Sequence, residues 1–377
     1  MQSFDILIIG GGPAGSTLAY SLKNTDLKIG ILDKQEFPRQ KICAGWVTPE
    51  VMRVLNVDLD DYAGSRVLQK IRGFRTSQIG QKKQVESSFP GEPVSYGIRR
   101  LEFDDYLLRR SGAELLLGQA FEKMEKNSGG WLVNDEYQAK LVVGAGGHYC
   151  PVARAIGSKA VSELAVVAQE AEFKMSASQK QNCTIREEVP ELFFTPDLKG
   201  YGWVFRKGDY LNIGLGREDK SRLSSHVKAF CEYLAAEGKI PTDITEKYNG
   251  HAYLLYNHAE REMVADNVLL IGDSAGLAYP QSGEGIRPAV ESAILAADVI
   301  RECEGDYSKD RLQAYDDVTQ QRFGKRQPGP DLLERLPMFV KRIFARQLMK
   351  SQWFTRNVII DEWFLQTHQA PLHAVDE

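Results

Sequence analysis

The chain opens on a continuous apolar run, Phe4 to Ile9, that breaks at once into Gly10-Gly11-Gly12-Pro13-Ala14-Gly15. An unbroken apolar run bounded by glycines predicts a strand covered on both faces, as in a parallel sheet. From Ser16 to Lys23, the residues Leu18, Ala19 and Leu22 fall on one helical face, and Lys28 to Leu32 is a second apolar run closed by Asp33. Strand, helix and strand in that order make a βαβ unit. Two later runs repeat the passage from strand into glycine: Lys140 to Val143 enters Gly144-Ala145-Gly146-Gly147, and Asn267 to Ile271 enters Gly272-Asp273. Doubly wound sheets bind ligands at the carboxyl ends of their strands, so these distant segments are expected to converge on one long ligand.

Between them the texture changes. The runs Val166 to Phe173, Glu191 to Thr195, Gly202 to Arg206 and Tyr210 to Gly216 alternate with polar turns, the pattern of a mostly antiparallel sheet inserted into the nucleotide fold. Ser224 to Gly238 and Arg287 to Arg301 read as helices, and Gln327-Pro328-Gly329-Pro330 as a linker. From Asp331 the pattern is helical and rich in basic and aromatic residues, among them Phe339, Arg342, Phe344, Arg346, Trp353, Phe354, Trp363 and Phe364. Aromatic residues at that spacing favour helices packed over the inserted sheet; the alternative is a basic-aromatic patch against a membrane surface.

Composition narrows the classes. The 377 residues suffice for two domains or one with an insertion, and a net charge of −4 gives no global attraction to nucleic acid or anionic lipid. The five cysteines are odd in number, widely spaced and without a CxxC, as for reduced thiols in a cytoplasm; the six histidines do not cluster, and no metal is expected. The amino terminus has no basic region, and no run reaches the roughly eighteen apolar residues of a membrane span. A soluble cytoplasmic protein is expected, with peripheral membrane contact still compatible.

Gly10-x-Gly12-x-x-Gly15 gains meaning from its position. Gly10 permits the tight turn, Gly12 lets backbone approach phosphates, and Gly15 lets the helix pack on the strand. The helix amino end then offers N–H groups to a pyrophosphate, and Asp33 can bond ribose hydroxyls. This identifies a dinucleotide without saying which. Asp273, at a strand end, can accept from ribityl hydroxyls, or simply cap a helix. The turn Pro280 to Ile286 opens a helix whose first amides can face a flavin carbonyl and stabilise negative charge on it. Cys43 reads as a small packed residue, the ordinary role of a free cysteine. Tyr201, Trp203 and Phe205 alternate along a strand and so share a face, either lining an apolar pocket or forming a core.

These segments resemble the geranylgeranyl reductase family, within the flavoprotein group that includes p-hydroxybenzoate hydroxylase. Gly272-Asp273-Ser274-Ala275-Gly276 with Pro280 to Ile286 resembles its second FAD signature, Pro38 to Gly45 its PRxKxCxG loop, Arg100 to Asp104 its RxxFD motif, and Gly200 to Phe205 with Lys207-Gly208-Asp209 and Asn212-Ile213-Gly214 its YxWxFP-KGD-NxG stretch. The matches run in family order to about residue 300. Carried over by position, FAD contacts are expected from Gly10, Gly12, Ala14, Gly15, Asp33, Ala44, Gly45, Val47, Arg100, Ala120, Asp273, Gly285 and Ile286. The resemblance also implies a place for Cys43 beside the flavin ring, as a candidate proton donor or redox-sensitive neighbour.

The resemblance implies an α/β architecture: a Rossmann-like FAD-binding domain (1–68, 95–158 and 260–326), an inserted, mostly antiparallel substrate domain (69–94 and 159–259) and C-terminal helices (327–377). It implies an FAD-dependent oxidoreductase that takes electrons from NAD(P)H or ferredoxin and passes hydride to the double bond of an apolar, isoprenoid-like small molecule. A flavin monooxygenase or halogenase and a non-catalytic flavin-binding protein are the alternatives; the halogenase WxWxIP motif is absent from the sequence. The chain departs from the pattern at Arg206, where the family has proline, and at Gly146-Gly147, where the hydroxylases have Asp-Gly. The last 75 or so residues match no named motif.

Overall fold

The computed structural model describes residues 1–158, 163, 165–219, 221–259, 261–326 and 347–375. The expected linker at 327–330 and the helical pattern over 331–346, with Phe339, Arg342, Phe344 and Arg346, lie outside the described residues.

One sheet has a parallel centre: Val268–Leu270, Tyr137–Gly144, Gln2–Ile9, Ile29–Asp33 and Glu114–Leu117, in that spatial order. Val264–Ala265 and the hairpin Met124–Asn127 with Gly130–Val133 add antiparallel strands. Ile6, Leu7, Ile8, Leu141, Val142 and Val143 are all fully buried, which is why these strands read as unbroken apolar runs. Pro13–Ser21 packs against Ile286–Glu302 and Arg100–Arg110.

The second sheet runs in the order Asn249–Tyr253, Val166–Lys174, Tyr210–Arg217, Gly200–Lys207, Glu191–Phe194, Gly73–Gln78, Gln84–Ser88. Its pairs are antiparallel except Glu191–Phe194 with Gly73–Gln78. Alternation along the strands divides its faces. Ala171, Phe173, Phe193, Val204 and Ile213 pack on Val227, Phe230 and Leu234 of helix Leu223–Ala236. Phe74, Leu192, Trp203 and Phe205 occupy the other face, where Ile359, Ile360, Phe364 and Leu365 join them. The described part of the C-terminus thus packs on the sheet through the π-helical segment Thr355–Phe364. Beyond it, Arg287 donates to the Leu365 carbonyl at 3.2 Å, Arg322 to Ala370 at 2.6 Å, and the Val375 amide to Val54 at 2.9 Å.

Strands Trp46–Val47, Leu68–Ile71 and Ser95–Ile98 form a small third sheet. Lys207 fastens it to the second. This lysine is 1% exposed, and its Nζ donates to the Ile98 carbonyl at 2.8 Å and to Glu172 at 2.6 Å. Glu172 also accepts from Arg99 at 3.2 Å and Asn212 at 3.3 Å. Lys207→Met removes the charged hydrogen bonds to Glu172 and the Ile98 carbonyl, while Glu172 keeps Arg99 and Asn212, so it should destabilise the protein by about 2 kcal/mol. Urea unfolding measures this, and adding Glu172→Gln should recover part of the loss.

Candidate cofactor and substrate site

A cavity of about 710 Å³ lies where the ends of the parallel strands meet the second sheet. Its size falls within the roughly 300–1,000 Å³ range of ligand sites. Gly10 has φ +119°, and a Cβ there would stand 2.5 Å from the Ala145 carbonyl oxygen. A Cβ on Gly15 would stand 2.0 Å from the Gly10 carbonyl oxygen. Helix Pro13–Ser21 begins without a side-chain cap, and the cavity opens onto Gly12, Pro13 and Ala14. Such an amino end is an anion site. Asp33 lines the cavity too, but its carboxylate also ties the loop, accepting from the Gly11 amide at 2.8 Å and the Gln35 amide at 2.9 Å.

Two guanidinium groups stand beside this helix end. Asp104, fully buried, accepts from Arg100 at 2.6 and 2.7 Å and lies 3.2 Å from Arg39. One carboxylate thus positions two cations, leaving net positive charge on the wall. Further along, Lys41, His251 and Asp273 meet from three segments. Lys41 Nζ lies 3.2 Å from a His251 ring nitrogen, and His251 Nε2 lies 4.0 Å from Asp273. Burial pushes the Lys41 ammonium down to about 8, helped by Arg100 and opposed by Asp273. Burial also lowers His251. For Asp273, burial acts upward but is outweighed by the His251 hydrogen bond and by Lys41 and Arg100, so its carboxyl lies below the usual range.

Past this cluster the wall turns acidic and then aromatic. The Cys43 amide donates to Glu170 Oε1 at 2.6 Å, the Cys43 carbonyl accepts from Asn212 at 3.3 Å, and the Gly45 amide donates to Cys43 Sγ at 3.4 Å. Burial raises Glu170 to about 7 and Glu284 to about 8. Glu170 Oε2 and both Glu284 oxygens are buried without a hydrogen-bond partner. Trp46, Tyr201, Trp203, Phe205, Tyr253 and Phe364 close the far end. Trp46 stacks on Phe364 at 5.1 Å, Tyr201 donates its hydroxyl hydrogen to the Ser282 carbonyl, and Trp203 donates to Asn212 at 2.8 Å.

Of the residues named from sequence, Gly10, Gly12, Ala14, Asp33, Cys43, Ala44, Arg100, Ala120, Asp273, Gly285 and Ile286 line this one cavity, together with Tyr201, Trp203 and Phe205. Three do not. Val47 is fully buried among Val51, Ile98 and Phe103, because the short strand alternates and turns Trp46 to the cavity instead. Gly45 has φ +65° and is wedged against the Ile98 carbonyl and Lys207, where a Cβ would come within 2.5 Å of either. Gly15 serves the packing of helix on loop. Their expected cofactor contacts give way to structural roles. Sequence reading missed Trp46, His251, Glu170 and Glu284 as cavity residues. Glu284 lay within the quoted signature, whereas a lone histidine or glutamate in a β run carries no local signal.

The wall fits a flavin adenine dinucleotide. It presents an uncapped helix end and two arginines for a diphosphate, carboxylates at Asp33 and Asp273 for hydroxyls, and the Gly285-Ile286 helix start for the ring.

No protein-family model matches the chain. Digeranylgeranylglycerophospholipid reductase 3 of Methanosphaera stadtmanae is 28% identical over 343 residues, covering 86% of this chain and 85% of the relative. Menaquinone reductase of Mycobacterium tuberculosis is 27% identical over 86% of this chain and 81% of its own length. Among solved structures, a geranylgeranyl bacteriochlorophyll reductase-like protein from Thermoplasma acidophilum superposes with a TM-score of 0.73 at 23% identity, covering 93% and 88% of the two chains. A point mutant of halogenase PltM in complex with FAD gives 0.68 at 16% identity, covering 85% and 74%. The architecture is therefore that of FAD-binding oxidoreductases.

Lys41 generates a prediction about pH. Its folded pKa lies below its unfolded value of about 10.4, so the unfolded chain holds more protons between about pH 8 and 10.4, and this group makes stability rise with pH across that window. Lys41→Met should remove that rise. Denaturant midpoints of the two proteins, compared at several pH values, measure it; equal slopes would show that the ammonium is not desolvated.

Proposed function

We propose that this chain, a member of the FAD-dependent oxidoreductase fold family that holds the geranylgeranyl reductases, reduces carbon–carbon double bonds of an apolar, isoprenoid-like substrate. The observation that carries this reading is the continuity of one cavity, from an anion-binding helix end to a box of six aromatic side chains. FAD, when bound and reduced by NAD(P)H or ferredoxin, supplies the hydride. The chain's own groups do the rest. Gly12 to Ala14, Arg39 and Arg100 bind the diphosphate, and Asp33 and Asp273 take hydroxyls. Tyr201, Trp203, Phe205 and Trp46 orient an apolar skeleton, and Phe364 shields it from water.

Cys43 lines the cavity with its amide and carbonyl both hydrogen-bonded, which supports a role for it as proton donor or packed neighbour of the ring. The chain acts in the cytoplasm on a lipid-derived small molecule, and membrane contact is peripheral. Among the described residues no helix is long and apolar enough to cross a membrane.

Purified protein should be yellow and release FAD on denaturation, and Asp273→Ala should retain FAD at least ten-fold more weakly, the loss of about one charged hydrogen bond. With the flavin reduced anaerobically, a geranylgeranyl lipid should reoxidise it and gain two hydrogens per double bond by mass spectrometry. Reoxidation by oxygen alone, with a hydroxylated or halogenated product, would overturn the reductase reading.

A further inference from the structure

We propose that Glu170 is the acid that protonates the substrate carbon next to the one that receives hydride, held in place for this by the Cys43 amide. The proposal rests on the double-bond reductase reading of the site. Three observations carry it. First, alternation along Val166–Lys174 turns Ala168 and Glu170 to the cavity while Ala171 and Phe173 enter the opposite core. Second, Glu170 is 4% exposed, and its oxygens are unequal: Oε1 accepts from the Cys43 amide at 2.6 Å, while Oε2 is buried with no protein partner. A neutral carboxyl suits this arrangement better than a carboxylate: one oxygen accepts, and the buried, partnerless oxygen then carries a proton instead of an uncompensated charge.

Third, the charged groups around it are engaged elsewhere. Lys207, on Gly200–Lys207, is bound to Glu172 and the Ile98 carbonyl, and Arg100, on the helix opposite, is bidentate to Asp104. Glu172, on the same strand, adds repulsion, and the loop contributes the neighbouring Cys43. Burial prevails, and the carboxyl is raised to about 7.

Other cavity groups are placed less well for this step. The Tyr201 hydroxyl hydrogen is committed to the Ser282 carbonyl, and burial pushes that phenol well above its ordinary range. Glu284 adjoins Gly285 and Ile286, at the helix start expected to face the ring.

The step balances. One alkene carbon takes a hydrogen with its electron pair from reduced flavin, which is oxidised by two electrons. The π pair of the neighbouring carbon forms a new C–H bond with the Glu170 proton, the carboxyl O–H breaks, and the resulting carboxylate recovers its proton from water.

Glu170→Gln keeps an acceptor for the Cys43 amide but has no acidic proton, so it tests the step directly. Infrared pH titration of the protein without substrate should show a protonated carboxyl that ionises near pH 7 in the wild type and is lost in E170Q, while E284Q loses a different one. FAD content and flavin reduction by dithionite should be unchanged in E170Q. Anaerobic reoxidation by the geranylgeranyl lipid should slow by about 10²–10⁴-fold. In the wild type that rate should fall as pH rises through 7, since the donor must be protonated; E170Q should be flat, and Glu170→Asp should restore part of the rate with its pH dependence. An E170Q rate equal to wild type, or a wild-type rate indifferent to pH while the E170Q band is lost, overturns the proton role and leaves the reductase reading intact. A wild-type protein whose reduced flavin no alkene reoxidises overturns both.

Discussion

The short loop from Cys43 to Gly45 ties the second sheet to the small third sheet beside the cavity, and the site depends on how tightly it is held. Its amide goes to Glu170 and its carbonyl accepts from Asn212, both on the second sheet, while Gly45 leaves no room for a side chain between the Ile98 carbonyl and Lys207. Buried polar groups that satisfy one another fix a single relative placement, because any displacement leaves several of them unpaired at once. The helix start at Gly285 and Ile286 follows strands of the first sheet, while Tyr201, Trp203, Phe205 and Tyr253 of the aromatic box stand on the second.

The cavity is also graded in electrostatic character. Arg39, Arg100 and Lys41 cluster at one end, where anionic groups of a dinucleotide belong. The opposite end has tyrosine hydroxyls, two indole N–H groups and hydrocarbon. Between them sit two carboxyls that burial raises, Glu170 to about 7 and Glu284 to about 8. An apolar substrate therefore meets less fixed charge there than at the cationic end, where a charged cofactor can offset the cost of desolvation.

Much of this was legible in the chain. Strands covered on both faces declare themselves as unbroken apolar runs, and glycines at their ends marked the converging segments correctly. The strands Gly73–Gln78 and Gln84–Ser88 were not individually readable, because their stabilising partners are polar. Arg75 pairs with Glu86 at 2.9 Å and with Glu191 at 2.9 Å, across strands no local pattern connects. Helix Lys309–Phe323 is polar around most of its surface and likewise escaped notice. Val47 was misplaced because proximity in sequence to Ala44 does not survive the alternation of a strand. The same alternation settles the departure at Arg206. With Phe205 turned inward, Arg206 turns out to meet Glu187 at 3.0 Å, so the change from proline falls on the face away from the pocket. His251 and Glu170 gain their meaning only from tertiary contacts, which a single sequence does not display.

The position of Phe364 has a consequence for the life of the chain on the ribosome. The glycine loop, the Asp273 turn and the helix that follows are all synthesised before residue 310, whereas the cover of the aromatic box is added more than forty residues later. During synthesis the cofactor cradle can be complete while the substrate chamber still lies open on one side. The growing protein thus passes through an interval in which it has the means to hold a flavin but not yet the wall that keeps solvent from the place where it would react.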